Sequence, residues 1–198
     1  MLVTLLMLAV FFACIATLYT EGLWGNAIRL INVVTAALLA MNFFEPLARK
    51  LNEWQPSYEY FWDFLSLWAI FVFFVGIFQA LTKLVSRVKV RFLKIVDRIG
   101  SGVLAVWIGW VMVCFTLTTL HTAPLARNFL NGDFQPEERM VMGFAPDRQW
   151  LSFTQWASRG PYAADQIFDP HAEFMPKYNT RRRNLQKHVH ETNSFRVR

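Results

Sequence analysis

LTKLVSRVKVRFLKIVDRIGSGVLAVWIG, residues 81–109, decides how this chain is read, because a basic amphipathic segment runs straight into an apolar one. At helical spacing Leu81, Leu84, Val85, Val88, Phe92, Ile95, Val96 and Ile99 share one arc. Lys83, Arg87, Arg91, Lys94 and Arg98 gather on another. Between positions 83 and 98 six basic residues stand against one acid, Asp97. Such a helix lies in a membrane interface with its apolar stripe in the acyl boundary and its cations toward anionic headgroups. The alternative is an ordinary amphipathic helix packed on a protein surface, and the flanking sequence chooses between the two.

Working outward, the spans on either side favour the membrane. Residues 99–120 and 61–80 are apolar runs of the length that crosses a hydrocarbon core, and so are 27–44 and the uncharged stretch 1–19. The first run has no Lys/Arg-rich start and no A-x-A cleavage signature, and Phe11 and Phe12 stand where a lipoprotein signal ending at Cys14 carries small or aliphatic residues. It is therefore expected to stay as a span. Hydrophobic residues make up 55% of the 198, with 19 Phe and 8 Trp. Mean hydropathy is +0.28, which places the chain with membrane proteins rather than cytosolic ones. The net charge of +6 is concentrated in the loop between two apolar runs, so it reads as membrane-facing rather than as a nucleic-acid footprint. Cys14 and Cys114 each lie in an apolar run and act as small apolar residues.

Within the spans, residues suited to helix packing recur at one-turn spacing. Ala36 and Ala40 form one such pair, and Ser101, Ala105 and Gly109 line one face of the fourth span, where a neighbouring backbone can approach closely. Glu45-Pro46 is expected to stop the second span. Asp63, in the first turn of the third, complements the helix dipole at an interface marked by Trp54, Tyr58, Tyr60 and Trp62. The fold expected is all-α: a polytopic membrane protein with four transmembrane helices over 1–125, a basic amphipathic helix before the fourth, and an extramembrane, largely irregular C-terminal tail over 126–198. One short helix is expected in that tail near 148–158, capped by Asp147. From Lys177 onward the basic, apolar-poor sequence is expected to be disordered.

No Gly-x-Ser-x-Gly elbow, P-loop, His-Glu-x-x-His or Cys-x-x-Cys occurs, so neither catalysis nor a cofactor is expected. His171, His188 and His190 lack the cysteines or spaced carboxylates of a metal site.

Taken together, the four apolar spans, the glycine in the first turn (Glu21-Gly22-Leu23), the basic third connection and Asp97-Arg98 leading into a small-residue helix resemble the CvpA family, the colicin V production proteins of bacterial inner membranes. That family tends to have a basic residue, Gly and Phe in the first turn, and an Asp followed by Gly at four-residue steps before and within span four. Here the steps fall on Ser101, Ala105 and Gly109, and a basic residue often seen before the last glycine is Ile108. The resemblance covers 1–125 and implies a small integral membrane protein linked to toxin production or export and to envelope homeostasis, with no catalytic residues. The expected partners are anionic headgroups at Lys83, Arg87, Arg91, Lys94 and Arg98, together with further copies or other membrane proteins, and not nucleic acid. By the positive-inside rule the 83–98 loop is cytoplasmic and both termini are outside. A second reading, a subunit of a small pore or transporter, would have Arg29, Asn32, Asn42 and Asp63 line a polar path.

Overall fold

A computed structural model describes residues 2–85, 92–125, 134, 143–160 and 167–195, with side chains as far as 187. Six helices follow in order: α1 Leu2–Leu18, α2 Leu23–Trp54, α3 Glu59–Val85, α4 Lys94–Thr122, α5 Pro146–Arg159 and α6 Phe174–Phe195. There is no strand among the described residues. The stretches Leu23–Trp54, Pro56–Val85 and Lys94–Thr122 are long and apolar enough to cross a membrane. Helix α1, uncharged and 17 residues long, extends only about 25 Å at the usual rise, short of a hydrocarbon core of roughly 30 Å.

The first four helices alternate in direction. Helix α1 runs antiparallel along α4, with Tyr19 beside Ser101 and Phe11 beside Gly109. Helix α2 packs between α3 and α4. Its Ala36, Ala37, Ala40, Met41 and Phe44 join Leu67 and Phe71 of α3 and Phe115 of α4 in one buried cluster. Polar side chains tie these helices as well: the Asn32 amide of α2 donates to Thr82 Oγ1 of α3 at 3.3 Å, and Trp68 Nε1 of α3 donates to Thr119 Oγ1 of α4 at 3.2 Å. Asn32, only 6% exposed, thus takes a partner on the neighbouring helix.

Three sequence expectations change. Pro46 does not end α2, which continues to Trp54 and stops at Gln55, ahead of Pro56. The backbone bond that a proline forgoes is outweighed here by packing on both sides of it, since Phe44 and Ala48 are buried and the Phe44 ring meets Phe174 edge-on. The amphipathic stretch 81–99 is not one separate helix. Its first part, Leu81–Val85, is the end of α3. Phe92 and Leu93 are non-helical, Leu93 being extended at φ −57°, ψ 134°, and Lys94 opens α4. Residues 86–91, with Arg87 and Arg91, lie outside the described residues.

The tail is the third. Although much of the expected irregular 127–146 stretch lies outside the described residues, α5 and α6 make the remainder largely helical, and Lys177 sits inside a helix rather than in disorder. A local cap and a tertiary contact explain α6. Asp169 accepts the N–H groups of Glu173 (2.7 Å) and Phe174 (3.2 Å), while Phe174 and Tyr178 join the cluster around Phe44. Trp150 and Ala157 of α5 belong to that same cluster, so the tail helices share the core of the bundle.

Candidate functional site

Polar chemistry collects at the two ends of the bundle. At the end carrying the α1–α2 turn, Gly22 takes φ +84°, a backbone region that L side chains rarely adopt. Its position lets Asp97 of α4 reach the exposed start of α2: Asp97 Oδ1 accepts the Leu23 N–H at 2.9 Å. A carboxylate there satisfies an orphan donor and meets the positive end of the helix dipole. One turn inward Asn26, wholly buried, donates through Nδ2 to Leu18 O (2.9 Å) and Ser101 O (3.1 Å), and Ser101 Oγ donates to Tyr19 O at 3.1 Å. The residues that carried the family resemblance, Gly22 and Asp97, thus form one knot joining α1, α2 and α4. Asp97→Ala is expected to cost about 1 kcal/mol, as for removal of other helix caps, whereas Asp97→Asn, which keeps an acceptor, costs less. Thermal melts of the two variants in detergent check the ranking, and equal melting points would remove the cap from the account.

The basic residues flank this knot. Lys83 closes α3, and Lys94 and Arg98 stand one turn apart at the start of α4, all three exposed and without an ion-pair partner among the described residues. Two cations in the first turns of a helix oppose its dipole, so they do not serve the helix itself. Around them Leu84, Val85, Leu93, Ile95 and Ile99 are also exposed. The small-residue positions face inward: Ala36, Ala40, Ser101, Ala105 and Gly109 are buried, and a Cβ on Gly109 would lie 3.2 Å from the Phe11 carbonyl oxygen of α1.

At the opposite end α2, α3 and α6 enclose a cleft of about 250 Å³ lined by Glu45, Arg49, Asn52, Glu59, Asp63, Lys177 and Arg181. Asp63, read from sequence as an interfacial acid, is buried and paired with the Arg181 guanidinium, which also donates to Glu59 O at 2.6 Å and lies over the Tyr60 ring. Lys177 Nζ meets Glu45 Oε1 at 2.6 Å. Burial, and then the negative charges of Asp63 and Glu45, push the Tyr178 phenol above its ordinary range. Two ion pairs, Asp63–Arg181 and Glu45–Lys177, thus tie α6 to α3 and α2 across this cleft.

Beside it lies a contact that sequence reading did not find. His121 Nε2, in the last turn of α4, is 3.0 Å from Asp147 Oδ2, with the two side chains 2% and 0% exposed. Asp147 is not the cap of α5; that place belongs to Ala145, in the left-handed region at φ 46°, and Pro146 opens the helix. Phe134 covers the imidazole, and the Arg182 guanidinium stacks on Phe134 at 4.7 Å while donating to Leu120 O at 3.2 Å, where the carbonyls at the end of α4 favour a cation. Burial lowers the pKa of Arg182. A His–carboxylate pair can orient an imidazole for proton transfer, yet this one is sealed from solvent and serves to hold α5 on α4. The available signal was an ionisable residue at the edge of a span and an acid just inside a proline-led helix. Among the described residues, no three His, Cys, Asp or Glu side chains converge as a metal ion requires.

The four residues of the pore reading are scattered. Arg29 pairs with Glu21 at 2.7 Å at the basic end, Asn32 bonds Thr82, Asn42 donates to Leu38 O of its own helix, and Asp63 is held by Arg181 at the far end.

Comparison with curated proteins and with solved structures finds no match. The family model described as Colicin V production protein matches residues 3–135, a stretch that takes in α1 to α4, the Gly22–Asp97 knot and Phe134. With well over half its length matched and three helices able to cross a bilayer, the chain belongs to the colicin V production protein family.

Proposed function

We propose that this membrane protein acts without catalysis in a bacterial inner membrane, supporting toxin production or export or the upkeep of the envelope. Its helices pack through small-residue faces. Its basic connection, Lys83, Arg87, Arg91, Lys94 and Arg98, meets anionic headgroups or a cytoplasmic partner, and further copies or other membrane proteins are its remaining partners. The carrying observation is the state of Lys83, Lys94 and Arg98: exposed, unpaired among the described residues and bordered by exposed apolar side chains. The 83–98 connection lies in the cytoplasm and the C-terminus outside, and with α1 as a fourth, short span the N-terminus lies outside as well.

The test is complementation of a deletion strain showing an envelope or toxin-export defect. Replacing all five basic residues by Gln is expected to abolish rescue at equal membrane levels and to remove most co-purifying phosphatidylglycerol. Each cation removed weakens headgroup attraction by about 1 kcal/mol. Full rescue by the neutral variant would overturn the reading. A reporter fused after Arg198 should be active only outside the cytoplasm. The pore reading makes a different forecast, since purified protein in liposomes would then conduct ions.

A further inference from the structure

Helix α5 has three flanks, each with a different environment. One flank, with Trp150, Thr154 and Ala157, is buried against the bundle. A second, with Arg148, Ser152 and Gln155, faces residues 169–175 across a cavity of about 250 Å³ that Asp169 also lines. The third is aromatic: Phe153 and Trp156 stack at 5.9 Å, and Trp156 is 61% exposed. Just before the helix, Phe144, 62% exposed, meets Trp110 of α4 edge-on, and Trp110 Nε1 donates to Gln149 Oε1 at 3.1 Å.

These flanks have a direction relative to α4. The aromatic flank is continuous with Trp110, twelve residues and so about 18 Å before the end of α4 at Thr122. Trp150 packs on Phe115, about 10 Å before that end. The polar flank, centred on Arg148 and Gln155, is turned toward the start of α6. Helices that lie in a membrane interface sink roughly 5–10 Å into the headgroup and acyl boundary. An isolated Trp on a water-facing helix needs no account, but a Phe153–Trp156 stack sharing its flank with Gln149, which bonds Trp110 of a membrane-length helix, does.

We propose that α5 is a membrane-interface helix: after the fourth span the chain returns to the bilayer and sets Phe144, Phe153 and Trp156 among phospholipid acyl chains of the leaflet opposite the basic connection. Its polar flank faces water, and its buried flank is held on α4, where the His121–Asp147 contact clamps the start of the helix. The partner is lipid because the aromatic flank runs on through Gln149 and Phe144 to Trp110 of a helix long and apolar enough to cross a membrane, while the neighbouring flank at Arg148 and Gln155 is polar. This rests on α4 crossing the membrane.

The experiment places single spin labels in the full chain in liposomes, in a Cys14→Ser, Cys114→Ala background, at Trp156→Cys, Arg148→Cys and, on an exposed face of α4, Val103→Cys. Accessibility to oxygen, which partitions into acyl chains, is compared with accessibility to a water-soluble nickel chelate. Position 156 is expected to favour oxygen several-fold over position 148 and to resemble 103. Nickel access at 156 with oxygen access at 103 overturns the interface helix and leaves the span intact. Nickel access at 103 overturns the span itself. A label at 156 shielded from both reagents overturns lipid as the occupant and assigns the flank to a second copy or another protein. Arg148→Cys, on the exposed polar flank, also reports whether the labelled chain keeps its fold, since the nickel preference must hold there.

Discussion

Gly109→Leu is expected to part α1 from α4 and to abolish complementation, while Gly76→Leu leaves the protein intact. At Gly109 even a Cβ would stand 3.1 Å from the Phe11 ring and 3.2 Å from its carbonyl oxygen; at Gly76 nothing lies within 4 Å. The ring can turn aside by a few tenths of an ångström, but the carbonyl belongs to the α1 backbone and moves only with the helix. The three further carbons of leucine have no room at this contact. Overpacking of this kind costs about 1–3 kcal/mol, and in a bilayer it is not offset by any gain in burial, because the acyl chains are as apolar as the partner helix. Dispersion holds the two helices together at this point, and it falls off steeply as they separate. Gly109→Ala should fall between wild type and leucine. Thermal unfolding of the three variants in one detergent measures the order, and equal melting points for Gly109→Leu and Gly76→Leu would remove this close approach from the account.

Asp63→Ala is expected to release α6 from the bundle. The Asp63–Arg181 pair joins residues 118 apart in sequence, and truncating the acid strands a guanidinium in a site it shares with Tyr60 and Tyr178. Breaking a buried pair costs roughly 3–5 kcal/mol. Here about 2–3 kcal/mol is expected, because Arg181 is 26% exposed and keeps its bond to Glu59 O. Truncating Glu59, an exposed and more distant partner at 3.9 Å, should have little effect. Limited trypsin digestion reads the result, since Arg182 is buried and the exposed Lys177 and Arg183 are held in helical backbone, and all three become cleavable once α6 lifts and frays. The exchange Asp63→Arg with Arg181→Asp should recover part of the protection. Unchanged digestion of Asp63→Ala would show that α6 is held without this pair, by Phe174, Tyr178 and the contacts of Lys177 and Arg182.

Much of the bundle was legible because the apolar runs at 27–44, 61–80 and 99–120 are properties of neighbouring residues, and so is the four-residue spacing of Ser101, Ala105 and Gly109. The helix ends were less so. Glu45-Pro46 carries a local stop signal, yet the helix passes through it because Phe44 and Ala48 are packed against α3 and the tail, whereas the weaker-looking Gln55-Pro56 ends it. The basic stretch 81–99 has a continuous helical period but breaks at Leu93, since its two ends belong to antiparallel helices that must turn.

By itself the sequence determined an all-α membrane chain, its family, the small-residue faces and the basic end. Helical periodicity and apolar length act within a few turns, and a bilayer leaves few other solutions for such segments. Only the tertiary structure decided that Asp97 caps α2, that Asp147 binds His121 instead of capping α5, and that Arg181 and Arg182 of an apparently free basic tail close the far end of the bundle. Those partners lie 74, 26, 118 and 62 residues apart. Each charge or donor could be satisfied locally, by solvent or by another residue, and which partner it takes depends on helices brought together by packing.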